Sequence, residues 1–464
     1  MWKIDEKTRI HLRALARMAS EKDAEVFVVG GTLRDFLRGK KCSDYDLTAR
    51  GVLKLARKFA SQTQLPCACL DNTPGRETLR VVVRNQYHFD FTEMQGNSIE
   101  EDLGQRDFTF NAIAIPLDDF LEGRENLIDP HHGRIDLAQG IVRTVGEPVL
   151  AADPLRMLRA FRFAARFNFA IEPETLDKIV RGSARLDRVA AERVYYEMIL
   201  FLGSEKVFDL LKLMDRTGLL DRVLPESGTL RETPVENTNA WDLGLKAVHE
   251  LENLLACPET VASSHPLAKA LPEKPRPLLK LAALLHRLDD CPQRDAGTGE
   301  PQPTFLSKTV PVLKRLRASN ADIQFVSRTL QCHREAMATR LRFAGVEADD
   351  SHIYQFVKRC GGELIPGLFL ACAVEEAQAK IFGRGSDPFL QAVRQILDFY
   401  FLRFLPAMEQ RELLSGKDLI QKFHLPPSPL FRTILDRVEE ARVLGTIKTK
   451  NDAERAAKHI IETQ

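Results

Sequence analysis

The chain has 464 residues, 44% hydrophobic and 28% charged, with a formal net charge of +1. That length exceeds one hydrophobic core and implies three or four domains or subdomains. No apolar run approaches the roughly 18 residues of a membrane span, and a near-neutral chain carries no global positive field, so nucleic-acid contacts must come from local patches. The N-terminal stretch MWKIDEKTRIHLRALARMAS is charged and amphipathic, without the apolar core of a secretory signal. Together with eight cysteines in so long a chain, this predicts reduced thiols in the cytoplasm.

In chain order, Val26–Val29 is a β-branched run that predicts a buried strand. Gly30-Gly31 then permits a tight turn and a close approach of the backbone, and Thr32 to Leu37 opens a short helix. Asp44-Tyr45-Asp46 returns to an extended segment, Tyr45–Thr48. Residues i and i+2 of a strand share a side, so Asp44 and Asp46 present two carboxylates to one site. Hard oxygen ligands beside a glycine turn suit Mg²⁺ with a triphosphate. Further strands are expected at Leu79–Val83, Tyr87–Thr92 and Asn111–Pro116. Asp90, between Phe89 and Phe91, is either a third carboxylate of that site or a residue of an edge or solvent face. Cys67-Ala-Cys69 reads as two small strand residues, because no His/Cys cluster completes a metal site.

After about Glu147 the strand signals fade. DPLRMLRAFRFAARFNFA and AERVYYEMILFLGSEKVFDLLKLM each read as a helix, the first with Asp153 as N-cap and Pro154 at the first helical position. Arg156, Arg159, Arg162 and Arg166 form a basic stripe along it, and from Pro154 to Arg193 nine Lys/Arg face five Asp/Glu. Such a stripe either holds triphosphate at one end and RNA backbone along the rest or is a solvated basic face. A break falls near ETPVENTNAW, and CPQRDAGTGEPQPTFLSKT is the clearest loop or linker. The chain reads as an α+β head followed by a long all-helical body.

Four segments occurring in order, VVGGTLRDFLRGKKCSDYDL, EEDLGQRDFTFNA, LIDPHHGRIDLAQGIVRTVG and DPLRMLRAFRFAARFNFAIEPET, resemble the signature motifs of class II tRNA nucleotidyltransferases and bacterial poly(A) polymerases. The resemblance is dense over the first 200 or so residues and weaker toward the C-terminus. It implies a mixed-sheet, polymerase-beta-like nucleotidyltransferase head over residues 1–145. An elongated helical neck with base-recognition and RNA-binding helices (146–225), a helical body (226–405) and a tRNA-binding tail (406–464) follow. Gly30, Gly31, Arg34 and Asp35 match the motif that cradles the triphosphate. Asp44 and Asp46 match the metal-binding catalytic carboxylates, with Asp90 a candidate third. Arg106, Asp107 and Asn111 match sugar and phosphate contacts, and Asp129, Gly133, Asp136 and Leu137 a hinge-like motif. Asp153 and Arg156 match the pair that reads the incoming base; one helix turn apart, they share a face, and carboxylate and guanidinium complement the edges of C or A. Arg159 and Arg162 extend the nucleotide-binding set. Glu192, Arg193 and Glu197 resemble a last motif that buttresses this helix.

Three departures qualify the match. Gln105 stands where the family has a first arginine, and Ala152 where it has a glutamate. Only TEMQGNSIEEDLGQ separates Phe91 from Arg106, leaving no room for the flexible loop with which CCA-adding members switch from C to A. That absence resembles the CC-adding subgroup, which leaves the A to a separate enzyme. LLKLAALLHRLDD and FVSRTLQCHREAM resemble a metal-dependent phosphohydrolase domain of some relatives. Here His286 is followed by Arg287 rather than Asp, so His249, His286 and His333 read as packed or exposed helix residues of a degenerate segment.

The expected activity is template-independent addition of C residues to the 3′ end of tRNA from CTP, with Mg²⁺ and release of pyrophosphate. The alternatives are a full CCA-adding enzyme that also takes ATP, a poly(A) polymerase, and an inactive RNA-binding relative. No membrane partner is expected.

Overall fold

The computed structural model describes residues 4–72, 77–83, 87–261, 271, 275–290, 306–343 and 349–463. The expected linker at 291–309 lies mostly outside them. The chain divides into two compact units, Met1–Phe201 with Leu213–Val223, and Leu202–Lys212 with Leu224–Gln464.

In the first unit, β1 (Phe27–Val29), β2 (Asp44–Ala49), β3 (Cys67–Asp71), β4 (Thr78–Val83), β5 (Tyr87–Glu93) and β6 (Ala114–Pro116) form one sheet. Their order is β3-β4-β5-β2-β1-β6, with β2 and β5 parallel and the other neighbours antiparallel. Alternation decides which face is which. Tyr45, Leu47, Phe89 and Phe91 are buried in the main core under α1 (Glu6–Ser20), whose Leu12 and Leu15 meet them there. Helix α2 (Gly30–Leu37) follows β1, and α3 (Val52–Thr63) adds Leu55 and Phe59 to that core. Phe59 stacks edge-on against Phe89 at 5.8 Å, and burying each such ring contributes roughly 1.5–3 kcal/mol. The alternate residues of β2 and β5 therefore go to the other face, which carries Asp44, Asp46, His88 and Asp90. Phe27 and Val29 of β1 also turn that way and pack with Ile99 and Leu103 of α4 (Ile99–Gly104).

Past the sheet come α5 (Leu117–Glu122), α6 (Gly133–Gln139), α7 (Glu147–Ala152) and α8 (Leu155–Phe167). Gly133 meets the 3-10 turn Thr109–Asn111 so closely that a Cβ would fall 2.0 Å from the Thr109 carbonyl oxygen. The Thr109 hydroxyl donates to Asp136 at 2.6 Å. Residues expected to act as a hinge thus bind α6 to the turn that carries Asn111.

Several expected boundaries move. Asn111 sits on the 3-10 turn, not at the start of a strand, and β6 begins at Ala114. Helix α8 begins at Leu155 rather than Pro154, although the Asp153 carboxylate still accepts from the Leu155 N–H at 3.3 Å. It ends at Phe167, where Asn168 takes the left-handed conformation (φ +57°) that asparagine tolerates at a C-terminus. Ala170–Ile171 then pairs in parallel with Ile141–Val142. The long helix expected over 191–214 is two, Ala191–Leu202 and Phe208–Arg216.

The break between them has a buried cause in the second unit. Lys280 donates to the Ser204 and Glu205 carbonyls at 2.6 and 3.0 Å and to Glu252 at 2.9 Å. Glu252 in turn accepts from the Val207 N–H at 2.6 Å and the Phe208 N–H at 3.4 Å. This pair replaces the helical hydrogen bonds that Gly203-Ser204 give up. Around it stand the helices Ala240–Ala256, Arg276–Leu285, Asn320–Phe343 and Leu364–Phe382. The last is buried on nearly every side, as a helix apolar all round must be. The C-terminal helices Gly416–Phe423, Pro429–Val443 and Lys450–Glu462 enclose a core of their own, with Leu419, Ile434, Val438 and Ala453. Among the described residues no helix is long and apolar enough to cross a membrane.

Candidate active site

The site is built on the polar face of the sheet. Parallel pairing sets Asp44 opposite His88 and Asp46 opposite Asp90, so the two aspartates of β2 and the one of β5 line a single face. Gly30 and Gly31 lie against them. A Cβ on Gly31 would stand 3.0 Å from Asp46 Oδ2, and one on Gly30, whose φ is +63°, 3.0 Å from Arg106 Nη1. The double glycine is thus the means by which the β1–α2 turn approaches a carboxylate and a guanidinium. Thr32 completes the turn: its hydroxyl donates to the Asp44 carbonyl at 3.0 Å and accepts from the Asp46 N–H at 2.6 Å.

Burial pushes the Asp46 carboxyl up to about 6, and the negative charge of Asp90 adds to this, against the pull of Arg106 and Arg34. Asp46, short of counter-charge, and the exposed Asp44 two residues before it on the same face form the donor pair that a hard divalent cation satisfies. Among the described residues no three His, Cys, Asp or Glu side chains come together to hold a metal ion. Asp44 and Asp46 remain a fitting pair, since Mg²⁺ is usually held by one or two carboxylates with substrate phosphates filling the rest of its shell. Asp90 is engaged elsewhere, by a bidentate bond from Arg80.

A second cluster runs from this site into α8. Arg34 forks onto Asp35 at 2.9 and 3.1 Å and donates through Nη1 to Asn111 Oδ1 at 2.9 Å. The Asn111 amide donates to Asp107 at 2.9 Å, and Arg159 pairs with the other Asp107 oxygen at 2.6 Å. Burial alone would raise the Asp107 carboxyl, but Arg159 and Asn111 hold it at about 2. Arg162 pairs with buried Glu197 at 2.8 Å. Asp153 pairs with Arg193 at 3.0 Å, and Arg156 donates to the Val149 carbonyl at 3.2 Å. Arg106 is held by Asp102, one helical turn before it, at 2.9 and 3.0 Å.

The structure therefore gathers Gly30, Gly31, Asp44, Asp46, Asp90 and Arg106 at one face, and joins Arg34, Asp35, Asp107, Asn111 and Arg159 in one polar chain. Arg159 and Arg162 of the expected basic stripe meet carboxylates of their own unit. Sequence reasoning missed Arg80, Asp102, His88 and Thr32. Asp102 could have been found from its spacing of four to Arg106. The others depend on strand pairing. His286 and His333, from the degenerate segment, are buried and stack edge-on at 5.6 Å, and His249 lies over Phe208 at 4.5 Å.

Comparison with known proteins bears on this geometry. The poly A polymerase head domain matches residues 26–143, and the probable RNA- and SrmB-binding site of polymerase A matches residues 168–228. An A-adding tRNA nucleotidyltransferase of Deinococcus radiodurans is 31% identical over 447 residues, spanning 92% of this chain and 93% of the relative. This chain belongs to the tRNA nucleotidyltransferase family. A CC-adding tRNA nucleotidyltransferase of Synechocystis is 28% identical, over 92% of this chain and 91% of its own. The fold matches that of the Thermotoga maritima CCA-adding enzyme solved with tRNA, with a TM-score of 0.67 at 20% identity over 99% of this chain and 96% of that one. This tRNA nucleotidyltransferase is thus an enzyme of the CCA-adding family, which generally uses divalent metal ions.

Proposed function

We propose that this tRNA nucleotidyltransferase adds C residues, and stops after two, at the 3′ end of tRNA from CTP in the cytoplasm. The observation that carries the reading is the closed segment between Asp90 and Arg106. Ser98 caps α4 by accepting from the Glu101 N–H at 3.3 Å, Asn97 N–H donates to Glu101 at 2.7 Å, and Gln95 N–H donates to Asp102 at 2.9 Å. Gly96, at φ +88°, has no space for a Cβ beside Glu101. A segment fastened at each of these points has no slack with which to reshape a base pocket from C to A.

In this reading Asp44 and Asp46 hold Mg²⁺, which when bound lowers the pKa of the attacking 3′-hydroxyl and neutralises charge on the leaving pyrophosphate. Gly30 and Gly31 let the triphosphate approach the backbone, while Arg34 and Arg106, oriented by Asp35 and Asp102, face its oxygens. Asp107, Asn111 and Arg159 fix the ribose side, and Asp153 with Arg156 reads the base without a nucleic-acid template. Positioning and charge neutralisation supply the rate, so no covalent intermediate is needed. Residues 1–145 form the catalytic head, 146–225 the reading neck, 226–405 a structural body, and 406–464 the tail that binds tRNA. A separate enzyme then adds the A.

Primer extension on one tRNA transcript, ending at the discriminator base, at C or at CC, tests this. The expected result is two additions with CTP and none to the CC end with ATP. A second reading, A addition, is favoured by the Deinococcus relative named above; addition of one A to the CC end alone would establish it. Completion to CCA would overturn the assignment of specificity to the closed segment.

A further inference from the structure

Three strands place three side chains in one row. Arg80 of β4 stands opposite Asp90 of β5, and Asp90 stands opposite Asp46 of β2. Arg80 Nε donates to one Asp90 oxygen and Nη2 to the other, both at 2.7 Å. A bidentate fork takes the lone pairs that a cation would use. The two partners differ in freedom: the Arg80 side chain keeps 34% of its exposure and that of Asp90 only 15%, so the arginine can swing into solvent while the carboxylate stays. His88 Nε2 lies 3.2 Å from Asp44 and 4.0 Å from Asp90, and Asp44 remains 61% exposed.

We propose that Arg80 is a positioning residue that stands in for a divalent cation: it holds Asp90 in the nucleotide-free enzyme and yields that carboxylate when the cation arrives, and so sets the cation concentration at which the site fills. This rests on the reading that Asp44 and Asp46 hold the metal. A guanidinium beside the row repels an incoming cation, and its withdrawal adds a third oxygen donor. The carboxylate row is thereby kept from standing as three uncompensated charges while no nucleotide is bound.

The test is Mn²⁺ binding to the full-length, nucleotide-free enzyme, read from the electron paramagnetic resonance signal of free Mn²⁺. Arg80→Gln is expected to tighten binding about tenfold, the order expected for removing one like charge several ångströms away near a protein surface. Arg80→Lys, which keeps the charge and loses the fork, falls between. Asp90→Asn alone is expected to weaken Mn²⁺ binding, because it removes the donor that Arg80 yields and leaves the Arg80 charge beside the row without its partner. In the Arg80→Gln background it removes most of the gain. Binding by Arg80→Gln no tighter than wild type overturns the proposal, as does undiminished binding in Asp90→Asn alone. Should Arg80→Gln fail to fold, Arg80→Lys decides in its place, and binding by it no tighter than wild type overturns the proposal equally. Asp46→Asn separates the two levels: undiminished Mn²⁺ binding there overturns the metal reading of the site itself, whatever Arg80 does.

Discussion

The carboxylate row of the first unit and the Lys280–Glu252 pair of the second both bury charge, and they treat it in opposite ways. Lys280 meets three oxygens and Glu252 meets three donors, so the pair is closed and serves to hold the 202–212 segment. Asp46 meets the Thr32 N–H and feels Arg106 and Arg34, but these do not offset burial and the neighbouring charge of Asp90, and its carboxyl is pushed up to about 6. Charge that is fully partnered specifies structure. Charge left short of partners is available to a ligand.

The largest expected effect breaks the row. Asp46→Asn should cut turnover by about a thousandfold or more, the scale of losing a principal electrostatic contact to the transition state, while its melting temperature holds or rises because a buried like charge is gone. Single-turnover extension beside a thermal melt checks both. A variant that loses stability along with activity would erase the contrast between the row and the pair.

Lys280→Met attacks the closed pair and should destabilise the protein by about 3–5 kcal/mol, because it leaves Glu252 buried without its counter-ion. Adding Glu252→Gln should recover part of the loss. Equilibrium unfolding in urea measures it, and a loss under about 1 kcal/mol would mean that the pair is no more than a surface contact.

A third case sharpens the comparison: charge kept out by neutrality. Burial pushes His286 down to about 4 and His333 in the same direction. An unfolded imidazole takes a proton as pH falls below its ordinary 6.5, whereas the folded one does not until about 4. The stability contribution is therefore present at neutral pH and is lost as pH falls through this window, by about 2 kcal/mol from His286 at pH near 5. His286→Gln should flatten the stability–pH profile between about pH 7 and 5. An unchanged slope would show that the buried rings do not titrate on unfolding.

Much of the head was legible because its signals are local. The β-branched run before Gly30-Gly31 becomes β1 and α2, and period-two alternation in YHFDFTE puts Phe89 and Phe91 in the core and Asp90 with Asp46. The helix boundaries were less legible. Gly203-Ser204 is a weak breaker taken alone, and the interruption is secured by Lys280 and Glu252, 76 and 45 residues or more away along the chain. The arginine stripe of α8 was visible as a period, while its partners Asp107 and Glu197 lie on other elements.

By itself the sequence determined which residue types are available for phosphate, cation and base, and their order along the chain, because spacing within a strand or helix is set by backbone geometry. Only the tertiary structure decided which of them already have partners. The register of β4 on β5 gives Asp90 to Arg80, and the packing of α8 gives Arg159 to Asp107. Ion pairing acts over a few ångströms, and distances that short between residues far apart in sequence come into being only when the chain folds.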